Sequence, residues 1–186
     1  MKSPVTKTII ALCTLGFVGQ CVASRFGYVL THSGAVEVSE FHWWQIFTYV
    51  WLHGNPLHLL VNLCVLWPFA KEMEERMSPV VFAIGYIICG AGAALLSLPY
   101  LPDGSYIVGS SGAVFGVVAM YGVMFFRSTI RWVFLPRPIP VWLFISLLFI
   151  VEIACSIMGY QNAKVHLGGM VEGICFALGC RLAEKK

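Results

Sequence analysis

Residues 109–116 read Gly-Ser-Ser-Gly-Ala-Val-Phe-Gly and stand where a long apolar segment begins. Small residues at such a position allow a neighbouring helix to approach closely, and they leave a serine hydroxyl at a helix N-terminus. Serine and glycine in apolar helices are more often packing residues than reactive ones. Whether Ser111 packs or reacts therefore depends on what the rest of the chain places beside it.

The composition is that of a polytopic membrane protein. Hydrophobic residues make up 59% of the 186 residues and charged residues 11%, and the mean hydropathy is +0.81. Apolar runs long enough to cross a bilayer recur along the chain. The net charge of +3 is too small to indicate nucleic-acid binding. The seven cysteines show no CxxC pairing, so we expect thiols in apolar surroundings rather than disulfides or zinc ligands.

The apolar runs predict one all-α domain, residues 1–186, with six transmembrane helices. The predicted spans are residues 8–27, 50–70, 79–98, 111–127, 141–158 and 165–181. Residues 28–49 form a first loop with aromatic residues beside charges, which is typical of the membrane–water interface. The competing interpretation of the first run is a signal peptide cleaved after Val22-Ala23-Ser24. A retained helix is preferred because the other spans then give a consistent topology.

The basic residues predict the orientation of these spans. With the N-terminus inside, ten lysines and arginines fall in cytoplasmic segments, and only Arg25 and Lys164 fall outside. This bias predicts that both termini are cytoplasmic. The expected location is a bacterial cytoplasmic membrane. The ten inner residues are Lys2, Lys7, Lys71, Arg76, Arg127, Arg131, Arg137, Arg181, Lys185 and Lys186.

Polar side chains inside three spans fall at similar depths. At 1.5 Å per helical residue, Ser111 lies roughly 24 Å above Arg127, and His166 lies roughly 22 Å above Arg181. His58 lies roughly 20 Å and Asn62 roughly 14 Å above the inner end of the second span. The hydrocarbon layer is about 30 Å thick, so all four groups lie below the outer surface.

The helical faces bring the same groups together. His58 and Asn62 are four residues apart and project from one side of the second span. Gly112 and Gly116 form a small-xxx-small pair in the fourth span, and Gly169 and Gly173 form another in the sixth, below His166. Two such stripes pack backbone to backbone, which predicts Ser111 and His166 within hydrogen-bond reach.

A serine beside a histidine permits nucleophilic acyl transfer. Candidate donors for the oxyanion are the Ser111 amide, Asn62 and His58. No aspartate falls in a pattern that completes a triad, so a Ser–His dyad is predicted. Glu152 and Glu172 receive no role beyond protonated or hydrogen-bonded structural groups.

These residues resemble the rhomboid intramembrane serine proteases in their minimal six-helix bacterial form, over about residues 40–182. The resemblance rests on four stretches: His53-Gly-Asn-Pro-Leu-His58 continuing to Asn62, Glu74 to Arg76, Gly109 to Gly112, and His166-Leu-Gly-Gly169 with Gly173. It implies cleavage of transmembrane segments of other proteins, without metal or cofactor, inside a lipid bilayer.

The resemblance also implies a role for each matching residue. Ser111 is the nucleophile and His166 the general base, while His58 and Asn62 line the oxyanion hole. Gly109 is the small residue before the nucleophile, His53 holds the outer end of the second helix, and residues 28–50 form a membrane-embedded first loop.

Three departures from the family pattern stand out. Trp44-Gln45 replaces a common Trp-Arg, Ser78 replaces a common glycine, and Phe115 replaces a tyrosine that often packs on the histidine. Phe115 retains stacking and loses a phenolic hydrogen bond.

Two other functions compete with proteolysis. An inactive relative would bind transmembrane segments as an adaptor, but such relatives usually lack the serine or the histidine. A small transporter or channel would be expected to show inverted repeats or broken helices in pairs, and no internal repeat is visible in the sequence.

Overall fold

The computed structural model describes residues 3–131 and 137–184, and its main elements are helices. Lys2, Lys185 and Lys186, which the topology prediction uses, lie outside the described residues. Six long helices are α1 (Pro4–Arg25), α4 (Pro56–Arg76), α5 (Pro79–Ser97), α6 (Ser111–Met124), α7 (Val141–Ile157) and α8 (Gln161–Ala183). Two short helices, α2 (Leu30–Gly34) and α3 (Gln45–Thr48), lie between α1 and α4.

Each predicted span overlaps one long helix, but the second was placed too early. Residues 50 and 51 belong to a short 3-10 helix, and α4 begins only at Pro56. Asn55 sets this start because its side chain accepts a hydrogen bond from the His58 amide at 2.8 Å. Proline at the first helical position lacks the N–H that would otherwise be unsatisfied. The helix also continues past residue 70, the predicted end of the span, to Arg76.

Three helices in the described part of the chain are long and apolar enough to cross a membrane: Pro4–Arg25, α5 with its 3-10 extension to Tyr100, and α8. Helices α6 and α7 are apolar but shorter. Many large apolar side chains on the outer faces are exposed, for example Leu15 at 65% and Ile157 at 82%. Such surfaces suit a lipid environment, and the chain is an integral membrane protein.

The first loop contains more structure than the all-α prediction allows. Strand β1 (Val36–Glu37) pairs antiparallel with β2 (Tyr106–Ile107), which joins the loop to the segment before α6. Gln45, which stands where an arginine was common in the family pattern, is 1% exposed. Its side-chain oxygen accepts a hydrogen bond from the His42 amide at 2.9 Å. A second short ladder joins β3 (Thr129–Ile130) to β4 (Ile139–Pro140).

Helix α6 is the central helix, since ten of its 14 residues are buried. It packs closely against α8 through the predicted glycines. A Cβ on Gly169 would collide with the carbonyl oxygen of Gly112, and one on Gly173 would collide with that of Gly116. The expected backbone-to-backbone approach of these two helices is confirmed.

Polar contacts tie helix ends together at the basic end of the bundle. The Glu74 carboxylate accepts hydrogen bonds from the amides of Val5 and Thr6 at 2.9 Å, which satisfies free donors at the start of α1. Arg76 donates to Glu184 at 2.7 Å, and this hydrogen bond lowers the pKa of Glu184. Arg181 donates to the Val123 carbonyl at 3.0 Å. The ends of α4, α6 and α8 therefore lie together with the start of α1.

Two glycines of α8 provide a matched test of this packing. Gly169→Ala should lower the free energy of unfolding by about 2 kcal/mol or more, because the added methyl overpacks a backbone contact. Gly179, in the same helix, has no atom within 4 Å of a built Cβ. Gly179→Ala should be neutral or stabilise by up to about 1 kcal/mol through helix propensity. Unfolding by SDS in mixed micelles measures both. Equal effects at the two positions would contradict the packing.

Candidate active site

Ser111 is the first residue of α6, at the N-terminal end of the central helix. The first four N–H groups of a helix have no partner within it, so the Ser111 amide points out of the helix end. Gly109, two residues earlier, has a φ of +110°, a conformation that other residues rarely adopt. Its amide donates to the Tyr49 carbonyl at 3.0 Å, which anchors this segment to the first loop.

Two histidines before and within α4 hold this segment from the other side. A Cβ on Gly109 would lie 2.5 Å from Cε1 of His58, so the imidazole occupies the space that a side chain would need. His53 is 1% exposed, and its Nε2 lies 3.2 Å from Ser110 Oγ. The two imidazoles meet edge to face with their centroids 5.3 Å apart. Ser110 is therefore held by a hydrogen-bond contact with His53, whereas the Ser111 hydroxyl has no hydrogen bond to another described residue.

Asn62 lies one helical turn below His58 and is 5% exposed. Its amide nitrogen Nδ2 has no hydrogen-bond partner among the described residues. A buried donor without an acceptor costs about 1–3 kcal/mol, and such exceptions in native proteins call for an explanation. A donor reserved for a charge that forms during a reaction is one such explanation.

His166 of α8 is fixed against α6 by an aromatic contact. Its imidazole stacks on Phe115 with the ring centroids 4.0 Å apart and the planes inclined by 7°. Phe115 lies one turn after Ser111, so the imidazole covers the face of α6 from which Ser111 projects. This is the stacking that the resemblance implied would survive the change from tyrosine.

The expected hydrogen bond between Ser111 and His166 is not formed in the described part of the chain. The Ser111 side chain rotates about a single bond among staggered positions. In proteins without substrate, such contacts are often long and tighten only in the reacting complex. The structure thus packs His166 against the face of α6 that carries Ser111, with no hydrogen bond between the two side chains.

Glu152 of α7 is the group that sequence reasoning missed. Its Oε2 lies 3.0 Å from Nδ1 of His166, and the two side chains are 10% and 17% exposed. The sequence assigned Glu152 no role because the positions of α7 and α8 relative to each other cannot be read from residue spacing. Its only sequence signal is a carboxyl in an apolar helix, which is expensive and therefore suspect.

Comparison with known proteins bears on this arrangement. The family model of the Rhomboid domain matches residues 40–182. The chain belongs to the rhomboid family. This rhomboid is 30% identical to RHOMBOID-like protein 1 of Arabidopsis thaliana over 81% of the chain and 38% of that protein. It is 40% identical to the chloroplastic Rhomboid-like protein 11 of the same plant over 42% of the chain and 28% of that protein.

A bacterial relative is also similar to this rhomboid. Rhomboid protease GlpG of Yersinia pestis is 23% identical over 94% of the chain and 62% of that protein. The chain spans 38% of the length of RHOMBOID-like protein 1, so the relatives include regions that have no counterpart here. These relatives come from a plant and a bacterium. They therefore do not support the predicted location in a bacterial cytoplasmic membrane over a membrane of a plant cell.

The contact between His58 and Gly109 predicts a sharp difference between two glycines with positive φ. Gly104 has a φ of +75° and open space around a built Cβ. Gly104→Ala should therefore cost only the conformational strain, about 1–2 kcal/mol of unfolding free energy. Gly109→Ala should cost more than this because its methyl must also displace the His58 imidazole. The comparison is made by SDS unfolding, and an effect at Gly109 no larger than that at Gly104 would contradict the contact.

Proposed function

We propose that this rhomboid is an intramembrane serine endopeptidase that cleaves transmembrane segments of other proteins, with Ser111 as nucleophile and His166 as general base. The observation that carries the proposal is the stacking of His166 on Phe115, one turn from Ser111, at the outer end of the central helix. The serine sits at a helix start whose amides have no partner in the helix, and a buried unpaired donor, Asn62, lies on the facing helix.

The chemistry follows from these positions. Ser111 Oγ attacks the carbonyl carbon of the scissile peptide while His166 Nε2, the ring nitrogen that does not face Glu152, accepts the hydroxyl proton. The oxyanion receives hydrogen bonds from the Ser111 amide and Asn62 Nδ2, with His58 beside them. His166 then passes the proton to the leaving amine, and a water molecule hydrolyses the ester on Ser111. No step requires a metal or cofactor.

The same proposal includes six membrane crossings with both termini on the basic side, which is the cytoplasmic side by the positive-inside rule. The contacts among the start of α1 and the ends of α4, α6 and α8 support this alternation, because they gather at one end of the bundle. Helix α6 has 14 residues, about 21 Å at 1.5 Å per residue, which is less than the hydrocarbon thickness. Its outer end with Ser111 is thus proposed to lie in a depression that water enters from outside.

The mechanism predicts the behaviour of two variants. In liposomes, wild-type protein should cleave a model transmembrane substrate, whereas Ser111→Ala and His166→Ala should each lower kcat by at least about 10³-fold, because catalytic groups that act as a unit fail together. Ser110→Ala serves as the matched control and should retain activity, since its hydroxyl faces His53. Cleavage is followed by the appearance of the two fragments on gels.

Two results would contradict the proposal. Activity that survives Ser111→Ala but is lost in Ser110→Ala would show that Ser110, and not Ser111, is the nucleophile. Substrate binding without cleavage by folded wild-type protein would favour the adaptor function.

A further inference from the structure

Helix α7 contributes little to the buried core, and this makes Glu152 unusual. Only two of its 17 residues, Val141 and Glu152, are buried. Its remaining side chains are partly or largely exposed and mostly apolar. A carboxyl group at membrane depth is costly unless a partner compensates for the lost hydration. The partner is His166, at 3.0 Å.

The contact gives Glu152 a means of selecting which nitrogen of His166 carries the proton. When the Glu152 carboxylate is ionised it can only accept hydrogen bonds, so Nδ1 is then the donor in this pair. In a neutral imidazole the other nitrogen, Nε2, is then an acceptor. The stacking on Phe115 fixes the plane of the imidazole, and the contact of Nδ1 with Glu152 opposes a flip of the ring that would exchange its two edges. Together they hold the imidazole in the tautomer that a general base requires.

We propose that Glu152 is a positioning residue for His166, so that the site works as Ser–His–Glu rather than as the dyad expected from the sequence. This inference rests on the proposed protease function. When His166 Nε2 takes the proton from Ser111, the ring becomes a cation, and the Glu152 carboxylate beside Nδ1–H stabilises it. Glu152 itself gains no proton in this step, and the proton on Nε2 leaves with the amine product.

The carboxyl group within α8 itself, that of Glu172, does not compete for His166. Glu172 lies six residues along α8, on a different face, and packs against the space left by Gly92 of α5. The His58 imidazole packs against Gly109, and it carries no negative charge that could stabilise a protonated His166. Glu152 is therefore the acidic partner of His166 among the described residues.

A spectroscopic measurement tests the contact without relying on activity. The whole chain with ¹⁵N-labelled histidine is studied by NMR in nanodiscs, and the His166 signals are assigned by their loss in His166→Gln. The wild-type spectrum should show the Nδ1–H tautomer. Glu152→Gln, which can donate as well as accept, should shift His166 towards the Nε2–H tautomer or a mixture. Glu172→Gln, the same change roughly 9 Å from His166 along α8, should leave the His166 signals unchanged.

Cleavage kinetics test the functional consequence. Glu152→Gln should lower kcat by about 10²–10⁴-fold with little change in KM, since loss of the correct tautomer in serine proteases has effects of this size. Glu152→Asp should restore part of the activity because it keeps an acceptor, while Glu172→Gln should match wild type. Melting temperatures of the two glutamine variants separate these effects from misfolding.

The outcomes distinguish the inference from the proposed function. An Nε2–H tautomer in wild type, or a Glu152→Gln spectrum like that of wild type, overturns the inference. Equal kcat in Glu152→Gln and Glu172→Gln overturns it too, while the protease function stands. Wild-type protein that cleaves no substrate, but whose His166 tautomer still responds to Glu152→Gln, would overturn the proposed function. Only the structural contact would then remain.

Discussion

The backbone contact between α6 and α8 is the constraint on which the rest of the structure depends. Gly112 and Gly116 face Gly169 and Gly173 so closely that no side chain fits between the two helices. In a bilayer, helices gain little from hiding apolar surface, so close van der Waals packing must hold them together. The same contact fixes the position of His166 along the helix axes relative to Ser111, because the paired glycines set the register of α8 against α6. Packing and chemistry thus depend on the same four glycines.

Around this contact, most buried polar side chains in the described part of the chain have a hydrogen-bond partner, while three buried polar atoms have none. Glu74 is satisfied by the start of α1, and Glu152 by His166. Asn62 Nδ2, His53 Nδ1 and the Tyr86 hydroxyl are buried without a partner among the described residues. The unpaired donor of Asn62 lies one turn along α4 from His58, which contacts Gly109 just before the candidate nucleophile, and a proposed oxyanion would take up its hydrogen bond. The energetic cost of this group in the resting protein is consistent with a preorganised site.

Much of the fold was predictable because hydropathy and glycine spacing report directly on helices and their close contacts. The predicted α6–α8 approach needed only the positions of four glycines. The start of α4 was misplaced because an apolar run does not reveal a cap, and Asn55-Pro56 outweighs the hydropathy of residues 50–55. The β1–β2 pairing was missed since two-residue strands leave no periodicity. Glu152 was missed for a different reason: its contact depends on how α7 is rotated against α8, which no spacing within one helix encodes.

The most direct test of the central claim is to identify the residue that reacts with a fluorophosphonate probe, which forms a covalent adduct with an activated serine. The folded protein is labelled in nanodiscs, digested, and analysed by mass spectrometry that separates Ser110 from Ser111. A single adduct is expected on Ser111, and it should be lost in His166→Ala. An adduct on Ser110, or no adduct on folded protein, would contradict the assignment of Ser111 as an activated nucleophile.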